Sequence, residues 1–304
     1  MKYFIITVDT EGDNLWEYHK GDVITTNNSR FLPRFQELCN KYSFKPVWLT
    51  NYEMASDQHY VEFVKKELEN GNCEVGIHIH AWNNPPLYEL NGKYHGSPYL
   101  IEYPKQVMRE KFEVTYNLIK EKFCKAPVTH RAGRWIMNDD YFKLLEEYNI
   151  KVDCSYTPGI SWNHIEGETV PGGCDYRKVY NHSHHIGKVL EVPVTIRKTH
   201  FKKGGSAKSK LKGLLLGGNI WLRPAMSSLQ DMENLLYMVL KEPECDYVEF
   251  MIHSSELMPG GSPYFKTEES IEQLYNDMNS LFDKAKSLGY SGVSLEEYYK
   301  HYRK

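Results

Sequence analysis

Two histidines stand two residues apart at the end of an apolar run, residues 74–80 (EVGIHIH). Because side chains alternate between the two faces of a β-strand, His78 and His80 would project from the same face. Imidazole is the commonest metal-ligating side chain, and histidine-rich sites favour zinc or its divalent neighbours. The spacing therefore indicates a candidate metal site, although two solvated histidines at a strand end would give the same pattern.

Other predicted strands also end in polar residues. These residues could act as acids, bases or cations, and they are Asp9, Glu11 and Asp13 after the first strand, then His130 and Arg131, then Asp153 and Ser155, and finally His253 and Glu256. The carboxyl ends of parallel strands gather on one rim of a barrel, where catalytic groups are found. Five such clusters are hard to explain as helix caps, and they predict one shared site.

The elements that must position these groups alternate between strands and helices. Apolar, β-branched runs predict strands at 3–9, 46–50, 73–80, 128–131, 151–155, 189–196 and 247–253, with helical patterns at about 29–41, 59–69, 104–123, 138–148, 227–241 and 267–288. This alternation predicts an α/β fold with a parallel sheet. About seven units favour a closed or nearly closed barrel, with an open doubly wound sheet as the alternative.

Bulk composition narrows the function classes. The chain has 304 residues, of which 41% are hydrophobic and 25% charged, and its net charge of −3 gives no general case for nucleic acid. No apolar run is long enough for a membrane span, the N-terminus does not resemble a signal peptide, and the six cysteines lack paired spacing. We therefore expect a cytoplasmic protein. A basic segment from Lys202 to Lys212 is a candidate for peripheral contact with an anionic surface.

In their order along the chain, the five clusters resemble the motifs of the polysaccharide deacetylase family, carbohydrate esterase family 4 with its NodB-homology domain. The stretch 253–264 resembles a branch associated with surface-polysaccharide synthesis. The resemblance implies one catalytic domain over residues 1–304. It also implies a distorted (β/α)7-type barrel, with the polar stretch 157–188 as a long loop over the barrel mouth.

The resemblance also implies roles for individual residues. Glu11, His78 and His80 would hold a divalent metal, with Zn²⁺ expected and Co²⁺, Mn²⁺ or Ni²⁺ as alternatives. Asp9 would be the base, Arg131 would hold Asp9 ionised, His253 would be the acid, and Asp153 would orient His253. The family usually has adjacent aspartates and histidines four residues apart, whereas position 82 here is tryptophan. Asp13 is therefore the alternative acidic ligand.

Taken together, these residues predict metal-dependent removal of an acetyl group, N-acetyl in the first instance. The expected substrate is an acetylated sugar, a nucleotide sugar or a lipid-linked glycan intermediate. Two other functions fit the same sequence: hydrolysis of a small non-sugar amide on the same scaffold, and carbohydrate binding without catalysis.

Overall fold

A buried strand near the N-terminus organises the sheet of the computed structural model, which describes residues 2–199 and 218–302. The strands are β1 (Lys2–Thr10), β2 (Pro46–Thr50), β3 (Glu74–Ile79), β4 (Thr129–Ala132), β5 (Val152–Asp153), β6 (His184–Ile186), β7 (Val189–Glu191), β8 (Ile196–Thr199), β9 (Gly218–Trp221), β10 (Tyr247–His253) and β11 (Tyr290–Gly292). The helices are α1 (Leu32–Lys41), α2 (Tyr52–Ser56), α3 (Gln58–Glu69), α4 (Lys105–Phe123), α5 (Asp139–Glu147), α6 (Leu229–Leu240), α7 (Glu268–Ser287) and α8 (Leu295–Tyr302).

Parallel pairing joins seven strands in the order β10-β1-β2-β3-β4-β5-β7. Strand β6 is antiparallel at the edge beside β7, and β11 pairs with the beginning of β1. The predicted distorted (β/α)7-type barrel is confirmed as a curled half-barrel with helices around it. The segment 192–195 and the antiparallel pair β8–β9 lie beside β10, where Leu222 N donates to Thr195 O and Met251 N donates to Leu222 O.

Local sequence explains where the helices begin. Asn138 accepts a hydrogen bond from Tyr141 N at the start of α5, and Asp57 accepts one from Tyr60 N at the start of α3. These side chains satisfy backbone donors that have no partner within the helix. Both caps therefore mark the residue at which their helix begins.

Aromatic packing between β1 and α7 anchors one side of the sheet. The Phe4 ring stacks on Phe44 with centroids 4.7 Å apart, and Phe282 meets Phe44 edge-on at 5.3 Å. All three side chains are buried, and burial of each stabilises the fold by roughly 1.5–3 kcal/mol. The strands that carry the polar rim are thus held on a rigid core.

The long loop predicted over the barrel mouth, residues 157–188, contains no helix, and its one strand is β6. It joins a second loop through hydrogen bonds from Tyr94 N to Glu168 O (3.1 Å) and from Gly96 N to Gly167 O (3.2 Å). The basic segment Lys202 to Lys212 lies outside the described residues, and the extent of the catalytic domain stays a prediction. Across the described ranges, no helix is both long and apolar enough to cross a membrane.

Candidate active site

The carboxyl ends of β1, β3, β4 and β10 bring the predicted site residues together. Asp9 on β1 is the register partner of His253 on β10, and His78 on β3 is the partner of Arg131 on β4. Parallel pairing therefore fixes the spacing of these four side chains before any loop contributes.

Glu11, His78 and His80 form one compact group. His80 Nε2 lies 2.6 Å from Glu11 Oε2 and 3.0 Å from His78 Nε2, and His78 Nε2 lies 3.4 Å from the same carboxylate oxygen. Within the described residues, this is the only group of three or more His, Cys, Asp or Glu side chains arranged to hold a metal ion. The spacing of two residues does bring both imidazoles to one point.

Asp13, the alternative acidic ligand, is turned away from this group. Its carboxylate accepts a hydrogen bond from the Thr25 hydroxyl, and its backbone N–H donates to Thr25 O at 2.9 Å. Trp82, at the position where the related family usually has histidine, packs edge-on against His80 with ring centroids 4.4 Å apart. The geometry thus favours Glu11 over Asp13 as the acidic ligand. It also favours His80, and not residue 82, as the position of the second ligand histidine.

The donor set fits a divalent cation. His78 Nδ1 lies 2.9 Å from the carbonyl oxygen of Arg131, which can only accept, so the Nδ1 hydrogen is used there and the Nε2 lone pair faces the group. Two imidazole nitrogens and one carboxylate oxygen are typical ligands of a zinc site with an open fourth position. His80 Nδ1 is buried and has no hydrogen-bond partner among the described residues.

The backbone at Gly133, directly after β4, passes close to Ile79 and His80. A Cβ atom at Gly133 would lie 2.3 Å from Ile79 O and 3.2 Å from His80 Nδ1. Only glycine lets the chain pass this close, so Gly133 is part of the wall that sets the His80 ring.

Electrostatics in the group follow from burial and opposite charges. Burial would raise the pKa of Glu11, but His80 foremost and His78 lower that pKa well below its ordinary value. Burial would lower the pKa of His78, whereas Asp9 and Glu11 raise it above its ordinary value. Burial dominates at His80 and lowers its pKa, despite the opposing effect of Glu11.

Arg131 is fully buried and forms an ion pair with Asp9. Its Nη1 donates to Asp9 Oδ1 at 2.6 Å, its Nη2 donates to Thr7 Oγ1 at 2.9 Å and to the Glu249 carboxylate, and its Nε donates to Cys154 O at 3.0 Å. Burial would raise the pKa of Asp9, but Arg131 and then His78 outweigh it and hold that pKa below its ordinary value. The predicted contact between Arg131 and Asp9 is therefore present in the structure.

Asp153 does not orient His253, and that expectation was wrong. Its carboxylate lies 2.6 Å from His130 Nδ1 and accepts from Ser155 Oγ at 2.8 Å, while His130 Nε2 meets Tyr141 OH. The reason is sheet order, because β1, β2, β3 and β4 separate β5 from β10 and the register pairs Asp153 with His130.

Glu256 and Arg223 occupy the place expected for Asp153. Arg223 Nη2 lies 2.9 Å from His253 Nδ1 and 2.7 Å from Glu256 Oε1, and the His253 backbone N–H donates to Glu256 Oε2 at 3.1 Å. On the other side of the ring, Nε2 of His253 faces Asp9 Oδ2 at 3.7 Å and Glu11 Oε1 at 3.9 Å.

Sequence reasoning assigned no role to Arg223 or Glu249, and it included Glu256 only as a member of the last polar cluster. Glu249 had a usable signal, since an acid in the otherwise apolar strand β10 requires a buried partner. No sequence pattern pointed to Arg223. It lies just after β9, 30 residues before His253, and meets that histidine only because the chain folds back.

A cavity of about 860 Å³ opens beside the Glu11–His78–His80 group. Its lining combines aromatic rings with hydrogen-bonding groups, namely Tyr18, Trp82, Tyr88, Tyr94, Tyr103, Glu53, Asn83, His95 and Glu168 among others. Trp82 connects it to the site through its contact with His80. Burial raises the pKa of Glu53 to about 7, so this carboxyl can be protonated and donate a hydrogen bond near neutral pH.

Trp135 and Trp162 lie elsewhere. Their rings stack at 6.3 Å and both meet Trp221 edge-on, in a separate apolar cluster that also contains Met251. Among Trp82, Trp135 and Trp162, only Trp82 borders the cavity.

No protein-family model and no curated protein sequence matches this chain. Solved structures do match. A GH57 branching enzyme from the hyperthermophilic archaeon Thermococcus kodakaraensis superposes with a TM-score of 0.56 at 12% identity, over 99% of this chain and 71% of that chain. At this identity the likeness is one of fold.

Members of the predicted family are also among the similar structures. A protein assigned as a polysaccharide deacetylase from Mycobacterium smegmatis has a TM-score of 0.48 at 14% identity, over 97% of this chain and 94% of that chain. A family 4 acetyl xylan esterase from Clostridium thermocellum, solved with a cobalt ion, has a TM-score of 0.48 at 12% identity, over 97% and 89%. The predicted resemblance to this family stands as a similarity to its solved structures, while the surface-polysaccharide branch stays a prediction.

Proposed function

We propose that the chain is a metal-dependent hydrolase that removes an acetyl group, in the first instance an N-acetyl group, from a sugar or glycan intermediate. The observation that carries the proposal is the position of Asp9 and His253 beside the Glu11–His78–His80 group. A candidate cation site, a buried carboxylate base and a hydrogen-bond donor meet within one rim of the sheet, with 3.7 Å between Asp9 Oδ2 and His253 Nε2.

Glu11, His78 and His80 would hold the cation, with Zn²⁺ as the proposed ion. When bound, a divalent ion there would polarise the acetyl carbonyl and lower the pKa of a water molecule at the open position. The protein supplies the rest of the chemistry.

Asp9 would accept the proton of the attacking water. Its Oδ1 is occupied by Arg131 at 2.6 Å, which leaves Oδ2 for that proton. The lowered pKa keeps Asp9 ionised, so it is in the form that a general base requires. His253, whose Nε2 lies 3.7 Å from Asp9 Oδ2, would direct the hydrogen on Nε2 towards the departing group.

A carbohydrate substrate is supported by the cavity beside Trp82. Aromatic rings pack against the apolar faces of sugar rings, and the carboxyl and amide groups of Glu53 and Asn83 can bind hydroxyls. A nucleotide sugar and a lipid-linked glycan intermediate are the proposed forms of the substrate.

Acetate release tests this function. The protein is stripped of metal, loaded with one equivalent of Zn²⁺ and incubated with oligomers of N-acetylglucosamine and with O-acetylated xylan. We expect acetate from at least one substrate. Asp9→Asn should reduce the rate by about 10³-fold while Asp283→Asn, an exposed change on α7, leaves it unaltered.

Two outcomes would redirect the proposal. Acetate release only from small acetamides would favour a non-sugar amide hydrolase. Saccharide binding without acetate release, with the cation bound, would favour a carbohydrate-binding protein that lacks catalysis.

A further inference from the structure

We infer that Arg223 is a positioning residue that fixes the His253 ring in the tautomer with its hydrogen on Nε2. The inference rests on the proposed function for its catalytic meaning, but not for its structural test. Its basis is the contact between Arg223 Nη2 and His253 Nδ1 at 2.9 Å.

The chemistry of the two groups decides the direction of this hydrogen bond. A guanidinium has only donors, so His253 Nδ1 must accept. A neutral imidazole with Nδ1 as acceptor carries its hydrogen on Nε2. An imidazolium would instead place an Nδ1 hydrogen against the N–H of the arginine, and the nearest carboxylate oxygen, Glu256 Oε1, lies 3.5 Å from Nδ1.

Glu256 does not replace Arg223 as the partner of Nδ1. Its Oε1 lies 3.5 Å from His253 Nδ1, beyond the distance of a good hydrogen bond, but 2.7 Å from Arg223 Nη2. Its Oε2 accepts from the His253 backbone N–H at 3.1 Å. The fully buried Glu256 therefore fixes the guanidinium, and the guanidinium fixes the ring.

The backbone around Arg223 makes this arrangement rigid. Leu222 N donates to Thr195 O at 3.0 Å, Met251 N donates to Leu222 O at 3.1 Å, and Met226 N donates to Arg223 O at 3.0 Å. Arg223 is thus attached to β10, the strand that carries His253, and its side chain is buried.

The consequence concerns how the amide bond breaks. Nε2 of His253 faces the space bordered by Asp9 and Glu11, so its hydrogen points to where substrate would lie. Water oxygen bonds to the acetyl carbon as the π pair of the carbonyl moves to its oxygen and one water proton passes to Asp9. The carbonyl then re-forms from this oxyanion as the C–N bond breaks, the electron pair of that bond goes to nitrogen, and nitrogen takes the proton from Asp9.

In this sequence His253 keeps its hydrogen throughout. It stabilises the transition state by hydrogen bonding as a neutral ring, in place of the acid role expected from the sequence. The products are the free amine and acetic acid, which loses its proton to solvent.

The decisive measurement is the ¹⁵N spectrum of the histidine rings in the Zn²⁺-loaded protein, with His253 assigned by its loss in His253→Gln. We expect a pyrrole-type Nε2 and a pyridine-type Nδ1. A pyrrole-type Nδ1, or two protonated nitrogens, in the unmodified protein would overturn the inference without any variant.

Variants of Arg223 provide the second arm. In Arg223→Met, Glu256 is released and Nδ1 should become the protonated nitrogen, with kcat lowered by about 10²-fold and KM little changed. Arg223→Lys keeps a donor and should recover the original tautomer and part of kcat. Arg177→Met, which removes an exposed arginine paired with Asp175, should change neither.

An unchanged tautomer in a folded Arg223→Met variant would contradict the inference. Failure of the proposed function is a different result, because the ring spectrum is independent of acetate release. A protein that releases no acetate yet shows the expected tautomer would contradict the function and leave the positioning role intact.

Discussion

Asp9 and His253 are direct register partners on the parallel strands β1 and β10, and Asp9 Oδ2 lies 3.7 Å from His253 Nε2. Neighbouring strands are spaced by their backbone hydrogen bonds, so this distance is set by the sheet and not by a loop. The base and the hydrogen-bond donor of the proposed site are thus parts of one rigid element pair.

Removal of the buried guanidinium should destabilise the protein strongly. Arg131→Met would leave Asp9 and Glu249 facing each other without a cation, and we expect a loss of about 3–5 kcal/mol in the free energy of unfolding. Urea unfolding measures this loss. The matched change Arg34→Met breaks an exposed pair with Glu272 and should have an effect of at most about 1 kcal/mol. Equal effects of the two changes would contradict this account of Arg131.

Glu249 should make stability depend on pH. Burial raises its pKa to about 7 from an ordinary value of 4.5, so between these two pH values the folded state holds a proton that the unfolded state has lost. The free energy of unfolding should therefore fall as pH rises through this window, by about 3 kcal/mol from this residue alone.

The change Glu249→Gln should remove that share of the pH dependence. The glutamine oxygen can still accept from Thr7 and Arg131, and its amide can take the place of Oε2, which has no partner among the described residues. Urea unfolding at pH 5 and pH 8 gives the difference. Glu69→Gln, an exposed change at the end of α3, serves as control. If Glu249→Gln kept the pH slope of the unmodified protein, the shifted pKa would be excluded.

The aromatic cavity should contribute to saccharide affinity. Tyr88 lines it and is 46% exposed, whereas Tyr237 on α6 is 41% exposed and lies outside it. Tyr88→Ala should weaken binding of an N-acetylglucosamine oligomer by about five- to tenfold, and Tyr237→Ala should leave it unchanged. Isothermal titration with metal-free protein separates this result from turnover. Equal affinities for the two variants would remove the cavity from the binding site.

Much of the fold could be predicted because its strands are apolar runs and several helices, including α3, α5 and α7, begin at a capping side chain. The predicted helix at 104–123 is α4 (Lys105–Phe123), and the predicted strand at 46–50 is β2. The short elements α2, β6, β9, β11 and α8 were not predicted, since strands of three or four residues and helices of five or eight residues have too little periodicity to detect.

The site could be predicted only where one strand carries the information. His78 and His80 share a strand face, and the structure brings their Nε2 atoms to 3.0 Å. Contacts between strands depend on sheet order, which is why Asp153 was paired with His253 in place of His130. Arg223 reaches His253 across a connection of the chain, and no local pattern records that contact.

The central claim is that Glu11, His78 and His80 hold the cation on which acetate release depends. The most direct measurement is an equilibrium Zn²⁺ titration of the metal-free protein and its Glu11→Gln, His80→Ala and Asp13→Asn variants, each checked for folding by circular dichroism. We predict one equivalent bound by the unmodified protein and by Asp13→Asn with similar affinity. Loss of an outer-shell partner typically weakens metal binding by about 10- to 100-fold. Loss of Glu11 or His80 should weaken Zn²⁺ binding by more than this. Unchanged affinity in His80→Ala, or lost affinity in Asp13→Asn alone, would contradict the claim.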